Sequence, residues 1–243
     1  MTLIGDEKKI DESAMELHKQ ELVYPEYRYV DFLKEKSVSP SDHPLKRDDD
    51  SNPKKSTKIA ERVLPVLALN EVFLGESLSS RVSYLEVKFD DQTPIKTRNS
   101  GLCISTGTGS TSWTFNINKL TYQSVEAILK IVFEITRFPL NFKDPRLVEA
   151  ITQRFNNDLV FDPELHLMAY TLRDPVSAGT FPTAVEKKPR GKARRIEIKS
   201  KCFDACLVID GSLSYRFNDG TKAIVSIHDE DVLRTIQLYS ADI

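Results

Sequence analysis

Apolar and polar residues alternate along several stretches of this chain and recur at helical spacing along two others. In Tyr84-Leu85-Glu86-Val87-Lys88-Phe89 the apolar side chains Leu85, Val87 and Phe89 share one face, and Asp90-Asp91-Gln92 supplies a turn. Gly101 to Ser105 reads as a short buried strand, and Ala68 to Leu74 as an apolar strand carrying one polar pair. Val125, Ile128, Leu129 and Val132 follow the i, i+3, i+4, i+7 rule and predict a helix that buries that face. Asp144 as N-cap and Pro145 in the first turn open a second helix, expected to bury Leu147, Val148, Ile151 and Phe155.

The final third returns to period two, with strands over Arg195–Lys199, Cys206–Ile209, Ser214–Phe217, Ala223–Ile227 and Leu233–Leu238. Asp210-Gly211 and Asp219-Gly220 each follow a strand and read as hairpin turns. The stretch from Pro175 to Ala193, rich in Pro, Lys and Arg, reads as a loop. The expected class is mainly β with two central helices, an α+β arrangement most simply built as a β-sandwich.

Residues 34–58 break the pattern, with almost no apolar side chains and three prolines. Such a segment cannot bury enough surface to offset the entropy of ordering and reads as a flexible linker or insertion. The division is therefore an N-terminal segment 1–33, part of which can pack as the start of the β domain, the linker 34–58, and a β-sandwich domain over 59–243.

Composition narrows the function classes. Hydrophobic residues at 40% allow a buried core in a chain of 243 residues. Lys+Arg at 34 against Asp+Glu at 36 gives a net charge of -2, which argues against a nucleic-acid or membrane surface. No apolar run approaches the roughly 20 residues a membrane helix needs. The first residues, MTLIGDEKKIDE, resemble neither a signal nor a transit peptide. Three cysteines, Cys103, Cys202 and Cys206, fit core thiols in a reducing compartment better than disulfides or a metal site. The four histidines are scattered, and the basic run from Lys187 to Arg195 reads first as a solvated loop.

Two stretches carry candidate chemistry. Gly101 to Trp113, GLCISTGTGSTSW, is a buried strand delivering a glycine- and hydroxyl-rich loop toward a helix. Its glycines allow close approach to the backbone, and Thr108, Ser110, Thr111 and Ser112 offer donors and acceptors to a phosphate, a ribose or a base edge. No lysine follows the glycines, so it is not a Walker loop. Asn70-Glu71 puts an amide and a carboxylate side by side in apolar surroundings, where neighbours on a strand face opposite ways.

Together these stretches resemble the NAD kinase family, whose C-terminal domain has an asparagine–glutamate pair followed by G-L-x-x-S-T-P-T-G-S-T-A-Y. Val208-Ile209-Asp210-Gly211 is similar to the family's later V-x-x-D-G turn, and the likeness runs from about Leu64 to Leu238. Gly107 in place of proline and Trp113 in place of tyrosine are most similar to the animal mitochondrial branch.

The resemblance implies the family's C-terminal β-sandwich and transfer of phosphate from ATP to the adenosine-ribose 2′-hydroxyl of NAD, with a divalent metal (Mg) on the triphosphate. It implies dinucleotide contacts at Asn70 and Glu71, adenosine contacts at Thr108, Thr111, Ser112, Trp113 and Asn116, assembly as a dimer, and a mitochondrial location. A chain complete as it stands, without a presequence, would instead be cytosolic.

Departures from the family are as informative as matches. The G-G-D-G-T motif that supplies the family's general base and phosphate cradle occurs nowhere in the sequence, so no catalytic residue is expected in this chain. Ser100 stands where many members have an acid that contacts NAD in the adjoining subunit. Trp113 lacks the phenolic oxygen and can only donate. A non-catalytic NAD-binding or dimerisation module is the alternative reading.

Overall fold

Leucine, isoleucine, valine and phenylalanine at every second position give each strand one face that must leave water, and two such sheets close on each other. The computed structural model describes residues 1–6, 15–16, 59–176, 189–231 and 233. The linker expected over 34–58 lies outside those residues, as does the last strand expected over 233–238 apart from Leu233.

The first sheet has six strands, in the order β3 (Ile59–Val63), β1 (Thr2–Asp6), β13 (Lys222–Ser226), β10 (Arg195–Ser200), β5 (Ser83–Phe89), β6 (Ile95–Asn99). The second has seven, in the order β2 (Met15–Glu16), β12 (Leu213–Arg216), β11 (Ala205–Ile209), β4 (Glu71–Glu76), β7 (Leu102–Ser105), β8 (Met168–Leu172), β9 (Arg190–Ala193). Every pairing is antiparallel. Leu85, Val87, Phe89, Ile196, Ile198 and Val225 of the first sheet share one buried cluster with Val72, Leu74, Leu102, Ile104, Leu207 and Ile209 of the second. Phe89 and Tyr170 stack across the gap with ring centroids 3.7 Å apart. The molecule is the expected β-sandwich. Each fully buried Leu, Ile or Val contributes roughly 1.5–3 kcal/mol, so this shared cluster is the main source of stability.

Strand β7 is buried on both faces. Its inner residues Leu102 and Ile104 enter the core, while Cys103 on the outer face lies under helix α1 (Trp113–Asn118). The Cys103 thiol meets Thr114 Oγ1 at 3.4 Å, and Asn118 Nδ2 donates to Thr171 Oγ1 at 2.9 Å. A helix thus roofs the outer face of the second sheet, and the candidate site lies there.

Helices α2 (Tyr122–Thr136) and α3 (Pro145–Asn157) form the two central helices. Thr121 caps the first by accepting from Ser124 N, and Asp144 caps the second by accepting from Arg146 N, with Pro145 following as expected. The Asn156 amide binds both the N–H and the carbonyl of Leu120, joining the start of α2 to the end of α3. Their small core is Val125, Leu129 and Val148, with Leu147 and Ile151 partly buried beside it.

Four local expectations need correction. Ile128 and Val132 are exposed, because α2 packs only along the narrow Val125–Leu129 stripe. Asp219-Gly220 is no hairpin: β12 pairs with β11 and β2, β13 with β10 and β1, so this turn crosses between sheets. Its backbone is tied down by Asp219 N to Cys202 O and Gly220 N to Ser200 O, contacts between segments distant in sequence. The strand expected from Ala68 begins only at Glu71, because the backbone before it is held by side chains rather than by a neighbouring strand. Finally, the basic loop ends in strand β9, where Arg190 lies over Phe155 of α3 and Lys192 over Phe161 in the segment that follows it, so these two cations cover rings.

Leu74 is fully buried and Ile135 is 77% exposed. Leu74→Ala is expected to cost about 2–5 kcal/mol, read as a fall in the urea midpoint, and Ile135→Ala less than about 0.5 kcal/mol.

Candidate functional site

Three segments distant in sequence meet at the ends of the central strands β11, β4 and β7 of the second sheet, and polar contacts to backbone join them. The Asp210 carboxylate accepts from three successive amides, Leu69 N at 2.7 Å, Asn70 N at 2.8 Å and Glu71 N at 3.0 Å. Asp210 N in turn donates to Glu71 O at 3.0 Å. On the other side, Thr106 N donates to Asn70 O at 2.9 Å, and Thr106 Oγ1 donates to Leu69 O at 2.6 Å. Thr106 Oγ1 also accepts from Gly109 N at 3.0 Å. The Asn70-Glu71 pair is therefore clamped between the Asp210 turn and the glycine loop.

The two loop glycines are there for space. A Cβ on Gly109 would sit 2.1 Å from Asn70 O, and one on Gly107 would sit 2.5 Å from Pro163 Cα. A proline at position 107 would have the same clash, so the segment carrying Asp162 and Pro163 and the glycine at 107 go together. The loop then makes one 3₁₀ turn, Thr108–Thr111, held by the buried Ser110 hydroxyl donating to Gly107 O at 2.6 Å.

Glu71 sits at the start of β4 on the roofed outer face. Its Oε2 is buried and has no hydrogen-bond partner among the described residues. Burial, and secondarily the Asp210 charge, push its carboxyl above the usual range. Behind it, burial raises the Cys103 thiol to about 11, with the Glu71 charge adding to that and Thr114 opposing it. Cys103 is thus a packed thiol, not a nucleophile.

Trp113 opens α1 with its indole 37% exposed and its ring centroid 5.3 Å from that of Phe73, on the strand that carries Glu71. The Arg173 guanidinium lies 5.3 Å from the Trp113 ring centroid and 5.9 Å from that of Phe73. Thr111 and Ser112 lead into this helix, with Thr111 exposed and Ser112 N donating to Gly109 O. Asn116 lies one turn further on, its amide donating to Ser112 O and accepting from Lys119 Nζ.

Asn70, Glu71, Thr111, Ser112 and Trp113 thus gather around one end of α1, with Asn116 one turn along it. Thr108 is placed differently: it lines a cleft of about 910 Å³ at the end of the sandwich, with Leu67, Leu69, Gly107, Leu165 and His166. None of the other six expected residues lines that cleft.

Sequence reasoning missed Phe73, Thr106 and Arg173, and took Asp210 only for a turn residue. Phe73 reads as a core position by alternation, and nothing local marks Arg173, whose partner Trp113 is 60 positions away. No group of three or more His, Cys, Asp or Glu side chains arranged for a metal occurs among the described residues.

No family model matches the chain. It is 41% identical over 196 residues to NAD kinase 2, mitochondrial, of Rattus norvegicus, a match covering 80% of this chain and 44% of that protein. The Homo sapiens protein of the same name is 42% identical over 179 residues, covering 73% and 39%. That of Xenopus tropicalis is 36% identical over 222 residues, covering 85% and 51%. Among solved structures, an NAD kinase from Archaeoglobus fulgidus in complex with ATP aligns at 19% identity and a TM-score of 0.40, over 66% of this chain and 46% of that one. The chain spans about half the length of the curated relatives it matches. On the strength of those relatives, the chain belongs to the NAD kinase family.

Proposed function

We propose that this chain forms the dinucleotide-binding half of an NAD kinase, which transfers phosphate from ATP to the adenosine-ribose 2′-hydroxyl of NAD. The observation that carries the reading is the Glu71 carboxylate, clamped at its backbone by Asp210 and left with a buried oxygen that lacks a donor. Such an atom has lost its water without gaining a partner, and a ligand hydroxyl or amide that donates to it restores the missing bond. Ribose and nicotinamide carry those donors. Thr111 and Ser112 present further hydroxyls, and the half-exposed Trp113 ring offers a face to a base.

In this reading Asn70 and Glu71 orient the dinucleotide, Thr111, Ser112 and Trp113 hold its adenosine part, and Asn116 flanks it, while Thr108 lines the neighbouring cleft. Proton removal from the ribose hydroxyl and the cradle for the transferred phosphate belong to the G-G-D-G-T motif, which this sequence lacks. A divalent metal arrives with ATP as part of the substrate. The described residues offer it no cluster of ligands. Its similarity to mitochondrial NAD kinases supports a mitochondrial location, and the family resemblance supports a dimer. The absent motif favours a second reading, a non-catalytic NAD-binding or dimerisation module.

Titration of the single tryptophan, Trp113, with NAD tests binding. Saturable quenching is expected, with Asn70→Ala and Thr111→Ala each weakening it about tenfold. Unchanged affinity in both variants would mean that the loop serves another purpose. In a kinase assay with ATP and magnesium, the chain alone is expected to yield no NADP. Turnover unaided would sink the claim that the missing motif is required.

The raised carboxyl of Glu71 has a consequence for stability. Because folding disfavours its ionised form, its contribution is most favourable below the ordinary carboxylate range and is lost as pH rises through the raised value. Glu71→Gln is therefore expected to raise the urea midpoint at pH 7, with the gap closing as pH falls below about 4, while weakening NAD binding. A variant less stable than the native chain at pH 7 would contradict this.

A further inference from the structure

The outer face of the second sheet holds a cation, Arg173, that lies in neither Asn70-Glu71 nor the loop ending at Trp113. Arg173 follows β8, and its backbone is fixed on both sides: Arg173 N donates to Gly101 O at 2.9 Å, and Ser100 N donates to Arg173 O at 2.8 Å. The side chain is half-buried and lies against two rings that themselves touch, Phe73 and Trp113, with centroids 5.3 Å apart. Among the described residues no carboxylate pairs with its guanidinium, and no hydrogen bond from it is found.

Lying over ring faces offsets part of the cost of removing this charge from water, but the rings occupy no strong hydrogen-bond acceptor position and leave its N–H donors without a partner. Those donors lie in the plane of the group and suit two oxygens of one tetrahedral anion. The acidic side chains of the site, Glu71 and Asp210, would repel any phosphate brought between Asn70 and Trp113. A dinucleotide carries a charged diphosphate between its two nucleosides. The loop supplies only neutral hydroxyls and amides, so the compensating charge must come from elsewhere on this face.

We propose that Arg173 is a phosphate-binding residue of the dinucleotide site, its N–H groups donating to diphosphate oxygens while the Phe73 and Trp113 rings keep the guanidinium on this face. The inference rests on the NAD-binding reading above. It gives the site an order along β7: donor-seeking Glu71 beside Ser105 at one end, cationic Arg173 beside Gly101 at the other, and the Trp113 indole next to Arg173.

The test is titration of NAD into the full chain, followed by Trp113 fluorescence and by calorimetry, for the native protein, Arg173→Met and Arg173→Lys, at low and high salt. Arg173→Met is expected to bind NAD roughly tenfold more weakly at low salt, with the difference shrinking at high salt as the native contact is screened. Arg173→Lys keeps the charge but not the planar pair of donors, and is expected to bind between the native chain and Arg173→Met while retaining the salt dependence. Should Arg173→Met fail to fold by circular dichroism, Arg173→Gln carries the same comparison. Native affinity in the uncharged variant, or a loss that is the same at every salt concentration, would overturn the proposal, since the latter marks a residue that only packs against the indole. Those outcomes leave the NAD-binding reading standing. A native chain with no saturable response to NAD by either method brings down both.

Discussion

One carboxylate holds the candidate site together. Asp210 accepts three successive backbone amides from Leu69, Asn70 and Glu71, in a segment about 140 residues away in sequence. Those amides sit where the chain enters β4 and has no strand partner yet, so without Asp210 they would look to water or remain unpaired. A charged acceptor makes each bond stronger than a neutral one would be. The bend that lets Asp210 reach them has positive φ at Asp210 and at Gly211, and the glycine tolerates this at no steric cost.

The clamp has a second jaw in the glycine loop. Thr106 binds the carbonyls of Leu69 and Asn70 while Gly109 lies against Asn70 O so closely that no side chain fits. Both jaws act on backbone, which leaves the side chains of Asn70 and Glu71 free for other partners. The arrangement also concentrates negative charge. Glu71 and Asp210 share one small region, and burial of Glu71 costs stability that a donor from outside can return. Binding sites are built on such local compromises, and here the rigid sandwich beneath tolerates it.

Much of the fold was legible because its signals are local. Alternation in Tyr84–Phe89 and Arg195–Lys199 marks strands with a buried face, and the two appear as neighbours β5 and β10. Asp144-Pro145 marks a helix start by capping chemistry alone. Expectations failed where a partner decides. Ile128 and Val132 have the right period but face away from α3, and Asp219-Gly220 has hairpin chemistry between strands of different sheets. A period tells that a face is apolar, not which neighbour covers it.

The same division holds for the site. The sequence by itself determined the two motifs, the class of ligand they resemble and the absence of G-G-D-G-T, because these depend on residue types at short spacing. Only the tertiary structure decided that Asp210 braces Asn70-Glu71, that Phe73 faces outward beneath Trp113, and that Thr108 lines a different cleft from Thr111, Ser112 and Trp113. It alone brought Arg173 to the indole. Strand pairing fixes which distant residues share a face, and that pairing is set by burial over the whole sandwich rather than by any local run of sequence.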